Sequence, residues 1–394
     1  MVSIPSFAKI NLGLKIGPAR PDGFHELRTV YQTLALHDVI RVGVESGEGI
    51  EIRCNDPRVP LDQTNTCYKV AERVLAIVQE SKIAAAGQPQ VPRLRPVGSA
   101  RDDNSLAEGM LILSQPGVDA NLYGTAQAAR VQHEIQGARR GRVVIEIEKR
   151  LPVQGGMGAA SSNGVATMLG LERALGIVLA PQEKLRIAAE VGSDLPLFLI
   201  GGTVLGVGRG EEVFPLPDLP PLHVVVITPP VGVSTPGAFA RWDELNTLET
   251  ALTGSRDTGT INKFSQSVFA WLSAGFPQVG QPMEAESDSA SGVPARGGDR
   301  AETPLLDLVR AGIENDFETV VFSEYPDLRE VKALLLREGA RYASLSGSGS
   351  TLYGLFASED EAQAAAKRMS AAGHAAVATR TLTRDEYWKA IASN

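Results

Sequence analysis

The sequence predicts an α+β fold in two parts, and three observations carry that expectation. Strand-like and helix-like stretches are interspersed through the first half without a regular βαβα alternation. The last portion reads as a compact β-α-β-β-α-β succession, and the proline-rich tract PLPDLPP, Pro215 to Pro221, separates it from what precedes. A chain of 394 residues, 43% hydrophobic and 21% charged, can also bury two cores. The expected division is 1–215 and 221–394.

Residues 3–16 alternate as a strand. PARPDGFHE, Pro18 to Glu26, is turn-rich, so that a hairpin or a strand-turn-strand opens the fold, and 29–44 continues the strand pattern. A further strand follows at 49–54, then a helix over Tyr68 to Gln79 with apolar side chains at helical spacing. From about 84 to 140 the pattern weakens into an Ala-, Gly-, Pro- and Gln-rich surface insertion. Order resumes with a strand at Arg142 to Glu148, a glycine-rich turn, a helix carrying Val165, Met168, Leu169 and Leu175, and a second helix from Pro181 to about Val191. LPLFLIGGTVLGVG, from Leu195, and HVVVITPP, from His223, read as buried strands. Residues 275–304 lack periodicity and are expected to form a disordered loop. The C-terminal part then runs through a helix (Asp327 to Glu338), a strand ending in LSGSGS, the strand TLYGLF, a helix (Glu359 to Ala372) and a last strand, AAVATRTL.

Composition narrows the function classes. The net charge of -8 argues against a sequence-independent grip on DNA or RNA, so no nucleic-acid partner is expected, and a phosphate-bearing ligand must be held by local dipoles and a few cations. No run approaches the roughly 20 apolar residues that span a bilayer, and the first residues lack a leader pattern, so a cytoplasmic protein without membrane contact is expected. Cys54 and Cys67 read as ordinary reduced thiols; the five histidines are scattered, with no HExxH or CxxC to suggest zinc.

The chemistry concentrates in LPVQGGMGAASSN, Leu151 to Asn163, between a predicted strand and a predicted helix. Gly155, Gly156 and Gly158 permit close backbone approach, Ala159 and Ala160 stay small, and the free N–H groups of the first helical turn converge on one spot that suits a phosphate. Ser161 and Ser162 add hydroxyls that can bond the phosphate or reach a magnesium ion. The same residues also suit a tight strand-to-helix turn capped by serine. Neither GxxxxGK[ST] nor GxGxxG occurs, which excludes the two commonest nucleotide loops.

Three ordered segments, PSFAKINLGLKI at Pro5 to Ile16, LPVQGGMGAASSN, and LSGSGSTLYGLF at Leu345 to Phe356, together resemble the three motifs of the GHMP kinase superfamily. PDGFHEL at Pro21 to Leu27 and GSDLPLF at Gly192 to Phe198 bring the likeness closest to its branch acting on 4-diphosphocytidyl-2-C-methylerythritol. The resemblance implies a ribosomal-S5-like N-terminal domain and a ferredoxin-like C-terminal domain. It also implies ATP with Mg2+, and transfer of the γ-phosphoryl group to the substrate's 2-hydroxyl. It makes Asp194 the base and Lys9 the cation that keeps it ionised and offsets charge during transfer; as plain chemistry, Asp194 equally suits a turn or cap and Lys9 a solvated strand end. Asn11, two residues from Lys9 on the same strand face, can bond the same hydroxyl or carboxylate. The cytosine-holding residues carry over to Phe24 and His25, with Phe239 as the second stacking face; core packing is the other reading of both rings. Asn65 and Lys149 match positions near the adenine, and Pro152 opens the phosphate loop. SGSGS, Ser346 to Ser350, is expected to pack its backbone against that loop or the substrate, unless it is a plain hairpin turn.

The loop departs from the family pattern PxGAGLGGGSS: Gln154 replaces a small residue, and Ala159 and Ala160 replace glycines. Alanine costs nothing there if φ is negative and strains the loop by about 1 kcal/mol per residue if φ is positive, which puts ATP affinity at issue. Ser193 stands where alanine is common. Two alternatives remain: another GHMP kinase acting on a cytidine-free alcohol, distinguished by the base pocket, and a catalytically silent member that binds ligand without transfer. A monomer or a homodimer fits equally.

Overall fold

The computed structural model describes residues 1–86, 141–153, 155–253 and 314–393. Of the expected insertion only residues 84–86 are described, and the expected loop at 275–304 lies outside the described residues.

The chain opens with two long antiparallel strands, β1 (Val2–Ala19) and β2 (His25–Ser46), joined by the predicted turn. From Ile4 to Ile16 β1 is buried on both faces, which explains why its apolar residues do not alternate cleanly with solvent-facing ones. The β1–β2 register shifts on both sides of the stretch Lys9–Asn11, between Phe7 and Lys9 and between Asn11 and Gly13. Such irregularities re-aim side chains, and here they bracket the two polar residues that point into the site. β3 (Ile50–Cys54), β4 (Gly141–Glu148), β5 (Thr203–Val207) and β6 (Glu212–Pro215) complete a six-stranded sheet in the order β3-β4-β2-β5-β6, with β1 on the remaining side of β2. Helices α1 (Thr66–Ala86), α2 (Ala159–Leu175) and α3 (Pro181–Val191) belong to the same part of the chain. Its core joins Ile4, Ile40, Val42 and Ile145 of the sheet to Val70, Met168, Leu171 and Ile187 of the helices.

One expectation is corrected here. LPLFLIGGTVLGVG is not strand throughout: Leu195–Phe198 is a short helix, α4, and only Thr203–Val207 is extended. Leu195, Pro196, Leu197 and Phe198 are all buried, so an unbroken apolar run marks burial without selecting between helix and strand.

The C-terminal part contains β7 (His223–Ile227), α5 (Thr235–Thr253), α6 (Phe317–Glu324), α7 (Pro326–Arg337), β8 (Tyr342–Leu345), β9 (Leu352–Phe356), α8 (Glu359–Ala371), β10 (Ala376–Arg380) and α9 (Arg384–Ala392). The four strands form an antiparallel sheet in the order β10-β7-β9-β8, the ferredoxin-like arrangement. Sequence periodicity did not single out α5, α6 or α9.

The two sheets meet across β1. Ala8, Ile10 and Leu12 pack with Val224, Val226, Tyr353 and Leu355, and the Tyr353 hydroxyl donates to the Asn11 carbonyl at 2.9 Å. Lys15 Nζ, nearly buried, bonds Asp316 at 2.8 Å, and Ile16 N–H donates to the same carboxylate. Among the described residues no helix is long and apolar enough to cross a membrane.

Candidate active site

The glycine loop ends at Gly158, whose φ of 66° places it in the left-handed region at the start of α2, with no side chain capping the helix. The first intrahelical bond runs from Ser162 N–H to the Gly158 carbonyl at 2.9 Å, leaving the preceding N–H groups of the first turn to face outward. Ala159 and Ala160 lie inside the helix, where φ is negative, so the departures from glycine carry no strain. The positive-φ demand falls instead on Gly156 (φ 75°) and Gly158, both of which are glycine.

A second glycine-rich turn braces the loop. Ser346 Oγ donates to the Gly156 carbonyl at 2.9 Å, and Thr351 N–H donates to the Gly155 carbonyl at 3.2 Å. A methyl group at Gly156 would overlap the Ser346 carbonyl oxygen and stand 2.9 Å from that of Gly349. SGSGS thus packs backbone to backbone on the loop, and the absence of side chains is what lets the two turns touch.

Lys9 and Asp194 converge on the helix start. Lys9 N–H bonds the Met157 carbonyl at 3.0 Å, and a methyl at Gly158 would lie 3.0 Å from Lys9 Cγ and 3.0 Å from Phe198 Cζ. Lys9 Nζ is 3.3 Å from Asp194 Oδ2, with the lysine side chain 4% and the aspartate 32% exposed. Asp194 sits at the N-cap of α4 without capping it, so its carboxylate stays available to the cleft. Asn11 accepts from Lys9 Nζ through Oδ1 at 2.7 Å and donates through Nδ2 to Thr29 at 2.7 Å, which fixes the lysine's position.

Tyr31, which sequence reading passed over as a strand residue, completes the group. Its hydroxyl donates to Asp194 Oδ1 at 3.2 Å, and Lys9 Nζ lies 5.4 Å from its ring centre. Burial first, and then the neighbouring Asp194 charge, hold the phenol well above its ordinary pKa, so it remains a donor. Tyr31 pairs with Asn11 across the β1–β2 ladder, a relation that only the shifted register reveals.

Beside the loop is a cavity of about 310 Å3 lined by Val59, Asn65, Ile147, Lys149, Pro152 and Gly155 through Ser161. Its walls hold all the sequence-predicted nucleotide residues except Ser162, which is buried and lies 2.8 Å from the Ser6 hydroxyl. Two lining residues also have structural partners. Asn65 Oδ1 accepts from Cys67 N–H at the start of α1, and Lys149 Nζ forms a 2.7 Å ion pair with the fully buried Asp38. Gln154 lies outside the described residues.

Of the predicted base-holding residues, His25 at the start of β2 meets Phe239 on α5. Phe24 is half-exposed, with the Arg209 guanidinium 5.0 Å from its ring centre. Phe239 lies flat against His25, ring centres 5.0 Å apart at 10°, rather than in ring contact with Phe24. Among the described residues no cluster of three His, Cys, Asp or Glu side chains could hold a metal ion.

The family model described as GHMP kinases N terminal domain matches residues 121–202, and that described as GHMP kinases C terminal matches 302–375. A 4-diphosphocytidyl-2-C-methyl-D-erythritol kinase of Nocardia farcinica is 30% identical over 95% of this chain and 90% of its own. One from Solibacter usitatus is 30% identical over 89% and 80%, and one from Moorella thermoacetica 28% over 97% and 99%. The crystal structure of a 4-(cytidine 5'-diphospho)-2C-methyl-D-erythritol kinase superposes with a TM-score of 0.57 at 23% identity, covering 96% of this chain and 99% of that one. That of homoserine kinase from Cytophaga hutchinsonii gives 0.54 at 16% identity, covering 97% and 95%; at these identities both show the shared fold. With its loop, its fold and its relatives in agreement, the chain belongs to the GHMP kinases, ATP-dependent enzymes that phosphorylate small molecules.

Proposed function

We propose that the chain transfers the γ-phosphoryl group of ATP to the 2-hydroxyl of 4-diphosphocytidyl-2-C-methyl-D-erythritol, a step of the non-mevalonate route to isoprenoid precursors. The observation that carries the chemistry is the Lys9–Asp194 pair, 3.3 Å apart, with the lysine stem packed against Gly158 at the N-cap of α2. The names of relatives 28–30% identical along nearly the whole chain support the choice of substrate.

In this reading, the Asp194 carboxylate accepts the proton of the substrate hydroxyl as its oxygen bonds to the γ-phosphorus, and the bond from that phosphorus to the bridging oxygen breaks to release ADP. Tyr31 and Lys9 orient the two carboxylate oxygens, and the Lys9 ammonium offsets charge developing on the transferring group. The backbone N–H groups of Ala159 to Ser161 hold the phosphates, while the cavity walls of Asn65, Lys149 and Pro152 flank the nucleoside. Phe24, His25 and Phe239 hold the cytosine. Residues 1–215 would supply the ATP loop and 221–394 the closing half of the cleft.

Magnesium fits this site as an ion carried mainly by the triphosphate. The half-buried Ser161 hydroxyl, which lines the cavity, is an oxygen donor, and one or two protein oxygens are what such an ion takes. Bound there, it would neutralise phosphate charge during transfer.

Of the loop departures that favoured a silent member, Ala159 and Ala160 are helical and lose their weight. An assay of ADP release with the diphosphocytidyl substrate tests the proposal. Wild type should turn over, and Asp194→Asn should lose about 10²-fold or more in kcat while binding ATP within a few fold. Undiminished turnover by that variant would remove Asp194 as the base, and indifference of the wild type to the diphosphocytidyl group would favour a different alcohol.

A further inference from the structure

His25 opens β2, and Asp243 lies on α5 one helical turn beyond Phe239, so residues 218 positions apart meet. Asp243 Oδ1 is 2.8 Å from His25 Nε2. An ionised carboxylate only accepts hydrogen bonds, so the ring nitrogen facing it carries the proton. The neutral ring is then the Nε2–H tautomer, and Nδ1 keeps its lone pair. No described residue hydrogen-bonds Nδ1.

The ring is also locked in plane. Phe239 lies flat on one face of the imidazole, and Phe317 meets the ring of Phe239 edge-on, 4.9 Å away at 76°. Phe317 is 2% exposed, so the stack is anchored in the C-terminal core. His25 itself is 8% exposed, next to half-exposed Phe24. A histidine so fixed in plane and tautomer offers one acceptor in a defined place, which a freely rotating imidazole does not.

We infer that Asp243 is a positioning residue for base selection: it holds His25 as the Nε2–H tautomer, so that Nδ1 accepts from the exocyclic amino group of cytosine and opposes the carbonyl that uracil presents there. This rests on the proposed cytidine-bearing substrate. Discrimination arises because a uracil carbonyl would leave two acceptors face to face with no proton between them.

The test compares kcat/KM for the cytidine-diphospho substrate and its uridine-diphospho analogue in wild type, Asp243→Ala and Asp243→Glu, with 15N NMR of His25 in the unliganded proteins. The preference for cytidine should fall at least tenfold in Asp243→Ala, through KM, with kcat for the cytidine substrate within about twofold of wild type. Asp243→Glu should keep much of it. The wild-type spectrum should show the Nε2–H tautomer, and Asp243→Ala a mixture. An Nδ1–H tautomer in wild type, or an unchanged preference in Asp243→Ala, overturns the role of Asp243 while leaving the substrate standing. A wild type that turns over neither substrate, or both equally, overturns the substrate reading and this inference with it.

Discussion

Replacing Gly156 by alanine separates the two demands that the loop makes on its backbone. Gly156 and Gly176 both have left-handed φ, 75° and 62°, so alanine at either should cost about 1 kcal/mol in backbone strain. They differ in surroundings: a methyl at Gly176, past the end of α2, meets nothing within 4 Å, whereas one at Gly156 overlaps the Ser346 carbonyl oxygen. Relief at 156 requires the two glycine turns to move apart, which sacrifices the Ser346–Gly156 hydrogen bond, worth about 1 kcal/mol, and adds about 1–3 kcal/mol of overpacking. Gly156→Ala should therefore lose about 3–5 kcal/mol and Gly176→Ala about 1 kcal/mol in urea denaturation. A displacement of about 1 Å at the phosphate loop should lower kcat/KM for ATP by about 10²-fold in Gly156→Ala, with Gly176→Ala close to wild type. Equal stability of the two variants, or kcat/KM for Gly156→Ala within twofold of wild type, would refute the claim that the paired turns position the nucleotide.

Lys149→Ala strands the fully buried Asp38 carboxylate, which would keep only the N–H groups of Arg150 and Leu151; the expected loss in denaturation midpoint corresponds to about 3–5 kcal/mol, partly recovered by adding Asp38→Asn. A loss below about 1 kcal/mol would show the pair to be solvated. Burial raises the Cys67 thiol from its ordinary value of 9.0 to about 12, so native protein at pH 8 should be alkylated at Cys54 and not at Cys67, both reacting once urea unfolds the chain. Because the folded value is the higher one, the stability linked to this thiol is complete below pH 9 and is lost as pH rises toward 12. Equal native labelling of both thiols, read by mass spectrometry, would contradict that burial.

Much of the site was legible because its residue types are chemically demanding. Gly156 and Gly158 stand at positive φ, and the small residues from Ala159 to Ser161 line the cavity beside the loop at a helix start. Tyr31 and Asp243 were not legible. Tyr31 reads as one aromatic in an apolar strand, and its bond to Asp194 depends on a register shift that local pattern does not encode. Asp243 follows Phe239 by four residues, a spacing that would have marked a shared face had α5 been recognised; the Pro, Gly and polar residues of TPGAFARWDELNTLETALT obscure its period.

By itself the sequence determined the strand–loop–helix that carries the glycine turn and the β-α-β-β-α-β succession of the C-terminal part, because periodicity and glycine placement act over a few neighbouring residues, whereas Lys9 and Asp194 were singled out only by the resemblance to the GHMP kinases. Only the tertiary structure decided that Leu195–Phe198 is a helix, that Asp194 reaches Lys9 across 185 positions, and that SGSGS braces the loop. Those outcomes depend on which surfaces bury against one another, a free energy shared among segments distant in the chain, which no single stretch of residues contains.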